Sequence, residues 1–162
     1  MFVRWLVWVH VLSIITFFLA HGAGAAMAFR IRQETNPERM RAMLDLSSSP
    51  FKVYMLSYLV MGVAGIVMVF LLSLWNRGWV WLSIVLMLFV FVWMFRISRP
   101  FTTLRKLVGL PYMEGKDERP AEPPASDEAI SAHIGTLGVT QFAVVGYVIP
   151  AFVLWLMFFK PF

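Results

Sequence analysis

Four long apolar runs, separated by polar stretches, organise this chain: residues 2–29, 53–74, 79–95 and 134–159. A helix that crosses the hydrocarbon core of a bilayer needs about 20 apolar residues. Each run therefore predicts a membrane-spanning helix. The third is short by that measure and can borrow turns beyond Phe95. The first would be about 42 Å long at 1.5 Å per residue, so it must tilt or project. The expected fold is all-α, a four-transmembrane-helix bundle forming a single membrane domain over 1–162.

The polar stretches carry start and stop signals. Asn36-Pro37-Glu38 reads as an N-cap, a first-turn proline and a first-turn acid. It predicts a short amphipathic helix over 37–46 in loop one, with Met40, Met43 and Leu44 toward the membrane surface. Ser49-Pro50 repeats the signal and opens the second span. In loop three, 100–108 predicts another short amphipathic helix, with Phe101, Leu104 and Leu107 inward and Gly109 and Pro111 as the stop. Residues 111–125, rich in Pro, Glu and Lys, read as a mobile linker. Ser126-Asp127-Glu128 caps the last helix, which is expected to carry His133 in its first two turns and to kink at Pro150.

Hydrophobic residues make up 60% of the chain and charged ones 14%, against about a quarter in soluble domains. The solvent for that much apolar surface is lipid. The first run is longer than the 7–15-residue core of a secretion signal, roughly stated, so it is read as a retained span. With no cysteine, disulfides, zinc–thiolate sites, iron–sulfur clusters and covalent haem attachment are excluded. The net charge of +5 raises the question of a nucleic-acid partner, but its distribution answers it. Loops one and three carry Arg30, Arg32, Arg39, Arg41, Lys52, Arg96, Arg99, Arg105, Lys106, Lys116 and Arg119, whereas the opposite side has only Arg4, Arg77 and Lys160. By the positive-inside rule this places both loops in the cytoplasm and both termini outside. Trp5, Trp8, Trp75, Trp79, Trp81 and Trp155 cluster at the outer ends, as an interfacial aromatic belt would. The basic residues report topology, and no nucleic acid is expected.

Candidate chemistry rests on three histidines, His10, His21 and His133. Polar side chains in a membrane usually face a bundle interior, a water cavity or a ligand. Eleven residues separate His10 from His21, so both fall on one helical stripe about 16 Å apart. One macrocycle cannot be clamped between them. His21 and His133 lie within about 6 Å of the same depth, which allows a bis-histidine haem b clamp. The plainer alternatives are hydrogen bonds from His10 to Ser13, Thr16, Ser57 or Thr140, and an interfacial place for His133. Gly22 and Gly24 belong to small-residue rows, Gly22/Ala26 and Ala20/Gly24/Ala28. These either pack against Gly62, Ala64 and Gly65 of the second span or form the wall of a flat cofactor. The eleven methionines are scattered without His–Met clustering, which favours packing over copper. No P-loop, nucleophile elbow or HExxH motif is present, and no catalytic residue or metal site is assigned.

Trp8-Val9-His10-Val11-Leu12, Ala20-His21-Gly22-Ala23-Gly24, Asn36-Pro37-Glu38-Arg39, Gly78-Trp79-Val80-Trp81 and Phe159-Lys160-Pro161-Phe162 together resemble an uncharacterised family of bacterial four-helix integral membrane proteins. That family is distantly similar to CopD-type copper-resistance proteins and to the haem b membrane protoporphyrinogen oxidase. The resemblance implies the bacterial inner membrane and a helix-one histidine, His10 here, as a haem ligand. The oxidase family is expected to use a lysine on its third helix, and the third run has none. The expected function is a small integral subunit of a larger, bioenergetic membrane complex, holding haem b for electron transfer and contacting lipid and other membrane subunits. One alternative is a structural or assembly subunit without cofactor. The other is an enzyme or transporter handling a tetrapyrrole or metal.

Overall fold

The computed structural model describes the backbone of residues 1–162 and the side chains of all but 48–50. The chain forms α1 (Phe2–Gln33), α2 (Pro37–Leu46), α3 (Ser48–Leu71), a 3-10 turn (Leu74–Asn76), α4 (Gly78–Leu107), a hairpin of β1 (Tyr112–Glu114) and β2 (Asp117–Arg119), α5 (Asp127–Ile134) and α6 (Val139–Phe159). The structure is a helical bundle, and α1, α3, α4 and α6 contain four stretches long and apolar enough to cross a membrane. α1 packs on α3 and on α6, and α6 packs on α4. Side chains bridge the remaining seam. The Tyr58 hydroxyl of α3 donates to the Met87 carbonyl of α4 at 2.5 Å, and the Tyr58 and Phe91 rings stack with centroids 5.6 Å apart.

Two apolar clusters close the ends. At the end bearing both termini, Val69, Trp79, Val80 and Leu156 join α3, α4 and α6. Trp79 is therefore a core residue, not part of an exposed belt, and its N–H faces the Phe162 carbonyl at 3.4 Å. At the arginine-rich end, Ala28 and Ile31 of α1, Met40 and Leu44 of α2, Leu104 of α4, Ile130 of α5 and Val139 of α6 form the larger cluster. Met40 and Leu44 thus cap the bundle and do not face the membrane surface. Two guanidiniums hold α2 there: Arg41 donates to the Val108 carbonyl at 2.5 Å, and Arg105 to the Leu44 carbonyl at 2.7 Å. These carbonyls lie at helix ends, where the main chain has no helical donor. Between the clusters the outside is apolar, with Leu19, Phe70 and Phe158 at 70%, 64% and 80% exposure, as lipid contact requires.

Boundaries differ from the expected ones in instructive ways. The third span does not stop near Phe95. α4 continues through Pro100 to Leu107, so the separate helix expected over 100–108 is its last turns. Pro100 removes one main-chain bond, but burial of Leu104 and Phe101 in the end cluster holds the helix together. Gly109 then ends it at φ 76, with the Leu110 N–H on the Arg105 carbonyl and the Gly109 N–H on the Lys106 carbonyl. The last helix is divided. α5 starts at the Ser126 cap, whose hydroxyl accepts the Ala129 N–H, and it ends before Gly135–Gly138, after which α6 begins. His133 therefore lies on a separate short helix. The 111–125 stretch contains the hairpin, turned at Gly115 (φ 66), and the Ala125 N–H returns to the Leu107 carbonyl at 2.9 Å. α3 begins at Ser48, next to the Ser49-Pro50 start signal, whose side chains lie outside the described residues.

Candidate functional site

His10 on α1 points at α3. Its Nδ1 lies 2.8 Å from the Met61 carbonyl, so Nδ1–H donates, and its Cε1 fills the space where Gly65 lacks a side chain. None of the hydroxyls expected as partners is used. Ser13, Thr16 and Ser57 each donate to a carbonyl of their own helix, on Val9, Leu12 and Tyr54. A main-chain carbonyl already bonded within a helix keeps a second lone pair, which His10 uses.

His21 sits where all four spans meet and is 2% exposed. Phe17 stacks parallel to it at 6.2 Å, Phe142 and Tyr147 of α6 approach to 4.8 Å, and Tyr54 of α3 lies at 6.1 Å. Its Cε1–Nε2 edge presses on the main chain of α6 at Gly146, where a β-carbon would overlap it and would also meet the Met94 methyl of α4. Both ring nitrogens lack a hydrogen-bond partner, and so does the buried Tyr54 hydroxyl. The Ala143 carbonyl, one turn before Gly146, faces the ring but does not meet hydrogen-bond geometry with it. An unmade bond of this kind costs about 1–3 kcal/mol per buried polar atom.

His133 is half-buried on α5, and its Nε2–H donates to the Pro100 carbonyl of α4 at 2.8 Å. Gly22 and Gly24 face α6, not the second span. Gly22 leaves room for the Tyr147 hydroxyl, and Gly24 lies against the Phe142 ring. Of the glycines expected opposite them, Gly65 receives His10, while Gly62 borders open space.

The fit of a haem follows from these contacts. Nε2 of His21 cannot take a metal in this packing, because the α6 backbone occupies that position. Its ring faces are covered by Phe17, Phe142 and Tyr147, so no flat macrocycle fits between His21 and His133. Gly22 and Gly24 serve close helix packing and do not line an empty slot. His10 is different: donating Nδ1–H to a carbonyl leaves Nε2 with its lone pair, the arrangement that ligating histidines have. Among the described residues, no group of three or more His, Asp or Glu is placed to hold a metal ion.

Sequence reasoning found the three histidines but missed what surrounds them. Tyr54, Met94 and Gly146 carry no motif, and a lone glycine in an apolar helix was the one available signal for Gly146. No protein-family model, curated protein or solved structure matches the chain.

Proposed function

We propose that the chain is a small structural subunit of a larger membrane assembly, embedded in the bacterial inner membrane with both termini outside. The carrying observation is how the three histidines are used. His10 ties α1 to α3, His21 fills the groove of α6 at Gly146, and His133 ties α5 to α4. The three histidines thus serve internal seams, and the surfaces remain to make partners. The inside–outside assignment rests on the eleven Lys and Arg of loops one and three against three elsewhere. Purification in mild detergent with crosslinking tests the reading. A defined set of co-purifying membrane subunits is expected, weakened in His10→Ala and His21→Ala. A chain that remains monomeric in its native membrane would refute it.

A second reading is haem b held for electron transfer through His10 alone, favoured by the Nδ1–H bond to Met61. A reduced-minus-oxidised spectrum decides between them. Soret and alpha bands lost in His10→Ala and kept in His21→Ala support haem at His10, and a flat spectrum of folded protein leaves the structural subunit. Tetrapyrrole or metal turnover is the weakest reading, because among the described residues no group of three or more His, Asp or Glu is placed to hold a metal ion.

A further inference from the structure

At the arginine-rich end a groove of about 520 Å³ opens between the last turns of α1 and the start of α2. Its lining combines two chemistries: Arg30 and Gln33 of α1 and Arg39 of α2 are polar, and Ala26, Met27 and Met43 are apolar. The side chains of Arg30 and Arg39 form no ion pair within 4 Å among the described residues, whereas Arg105, Lys106 and Arg119 are paired. Glu34 also lines the groove: its carboxylate accepts the N–H groups of Asn36 and Thr35 at 3.0 Å each, and Arg39 and Arg30 lie near enough to help hold it below its ordinary value. Two guanidiniums against one carboxylate leave the groove net positive, and with the neutral Gln33 amide they make a fork suited to a phosphate.

From Ala26 the apolar lining continues along α1. Ile15, Leu19, Ala23 and Ala26 are exposed and follow one face of α1 at helical spacing, a smooth track running from the groove along the lipid-facing side of the bundle. Arg30 stands where the apolar run ends, at the level at which a bilayer turns from hydrocarbon to headgroup. A soluble phosphate would need the fork alone, whereas an amphiphile needs both fork and track.

We propose that this groove is a binding site for one anionic phospholipid, with its phosphate on Arg30 and Arg39 and an acyl chain along Leu19, Ala23 and Ala26. Basic pockets at this level of membrane proteins hold anionic headgroups on the same physical grounds. The site needs only the membrane embedding of the bundle and stands independently of any haem or partner.

The test uses the full chain in detergent micelles, with native mass spectrometry to count bound lipid. Phosphatidylglycerol is compared with phosphatidylcholine of the same chains and with glycerol phosphate as the headgroup alone. One phosphatidylglycerol is expected to be retained in preference to phosphatidylcholine. Arg30→Gln with Arg39→Gln is expected to weaken it about tenfold or more, while Arg32→Gln with Arg99→Gln, which removes the same charge outside the groove, leaves it unchanged. Ala23→Trp, placed on the track, is expected to weaken the lipid. Equal retention of both lipids, or equal loss in the two arginine pairs, overturns the site. Displacement by glycerol phosphate with no effect of Ala23→Trp overturns the lipid in favour of a soluble phosphate. Circular dichroism of each variant confirms that the helices are retained.

Discussion

The imidazole edge of His21 lies against the main chain of α6 at Gly146, in a space that one added carbon would fill. This contact joins a polar ring with no hydrogen-bond partner to the one residue type that lets it approach. Glycine here removes a side chain so that two helices can close around a third group, which is how small residues act between membrane helices.

Gly146→Ala is therefore expected to destabilise the bundle by about 1–3 kcal/mol, since the new carbon forces His21 and Met94 out of place. Gly62→Ala, which meets nothing within 4 Å, is the control and is expected to be near neutral. Reversible denaturation in mixed micelles measures both. His21→Ala combined with Gly146→Ala should recover part of the loss, and purely additive effects would show that the two residues do not share this space.

His21→Leu should leave stability unchanged or raise it, although it removes a buried polar residue. The ring nitrogens make no bond to be lost, and leucine removes the cost of leaving them bare, about 1–3 kcal/mol per atom. A clear loss in the same assay would mean that the imidazole has a partner in the membrane that this packing lacks.

His10→Leu is expected to behave in the opposite way. It deletes the bond to Met61 and puts a branched side chain against Gly65, so a loss of about 1 kcal/mol or more is expected. The contrast between His10→Leu and His21→Leu is the informative quantity, because both substitutions replace the same residue type on the same helix.

The hairpin after α4 should loosen in acid. The Tyr112 hydroxyl donates to Glu122 and the Lys106 ammonium lies 3.3 Å from it, which holds the Glu122 carboxyl below its ordinary value. A group with a lowered folded value contributes stability above its unfolded value, about 4.3, and loses that contribution as pH falls through the folded one. Protection of the Ala125 amide, corrected for intrinsic exchange, is therefore expected to be constant near neutrality and to fall below about pH 4. Glu122→Gln should lower it at neutral pH and remove the acid transition.

The sequence by itself determined the helical class, four spans and the Ser126 and Asn36 caps, because those signals act within one turn or one apolar run. It also singled out His10, His21 and His133, since histidine stands out against hydrocarbon whatever the packing. Only the tertiary structure decided what each histidine meets. The Met61 and Pro100 carbonyls that receive His10 and His133 exist at every residue and leave no mark in a sequence. Gly22 and Gly24 could have served either neighbour, and helix rotation turned them to Tyr147 and Phe142 of α6. Pro100 signals a break, yet α4 runs through it because Leu104 is buried, and Phe101 packs, in a cluster with residues of α1, α2 and α5, which lie elsewhere along the chain. Periodicity specifies that an element forms, while its rotation and its end are set by the surfaces it packs against.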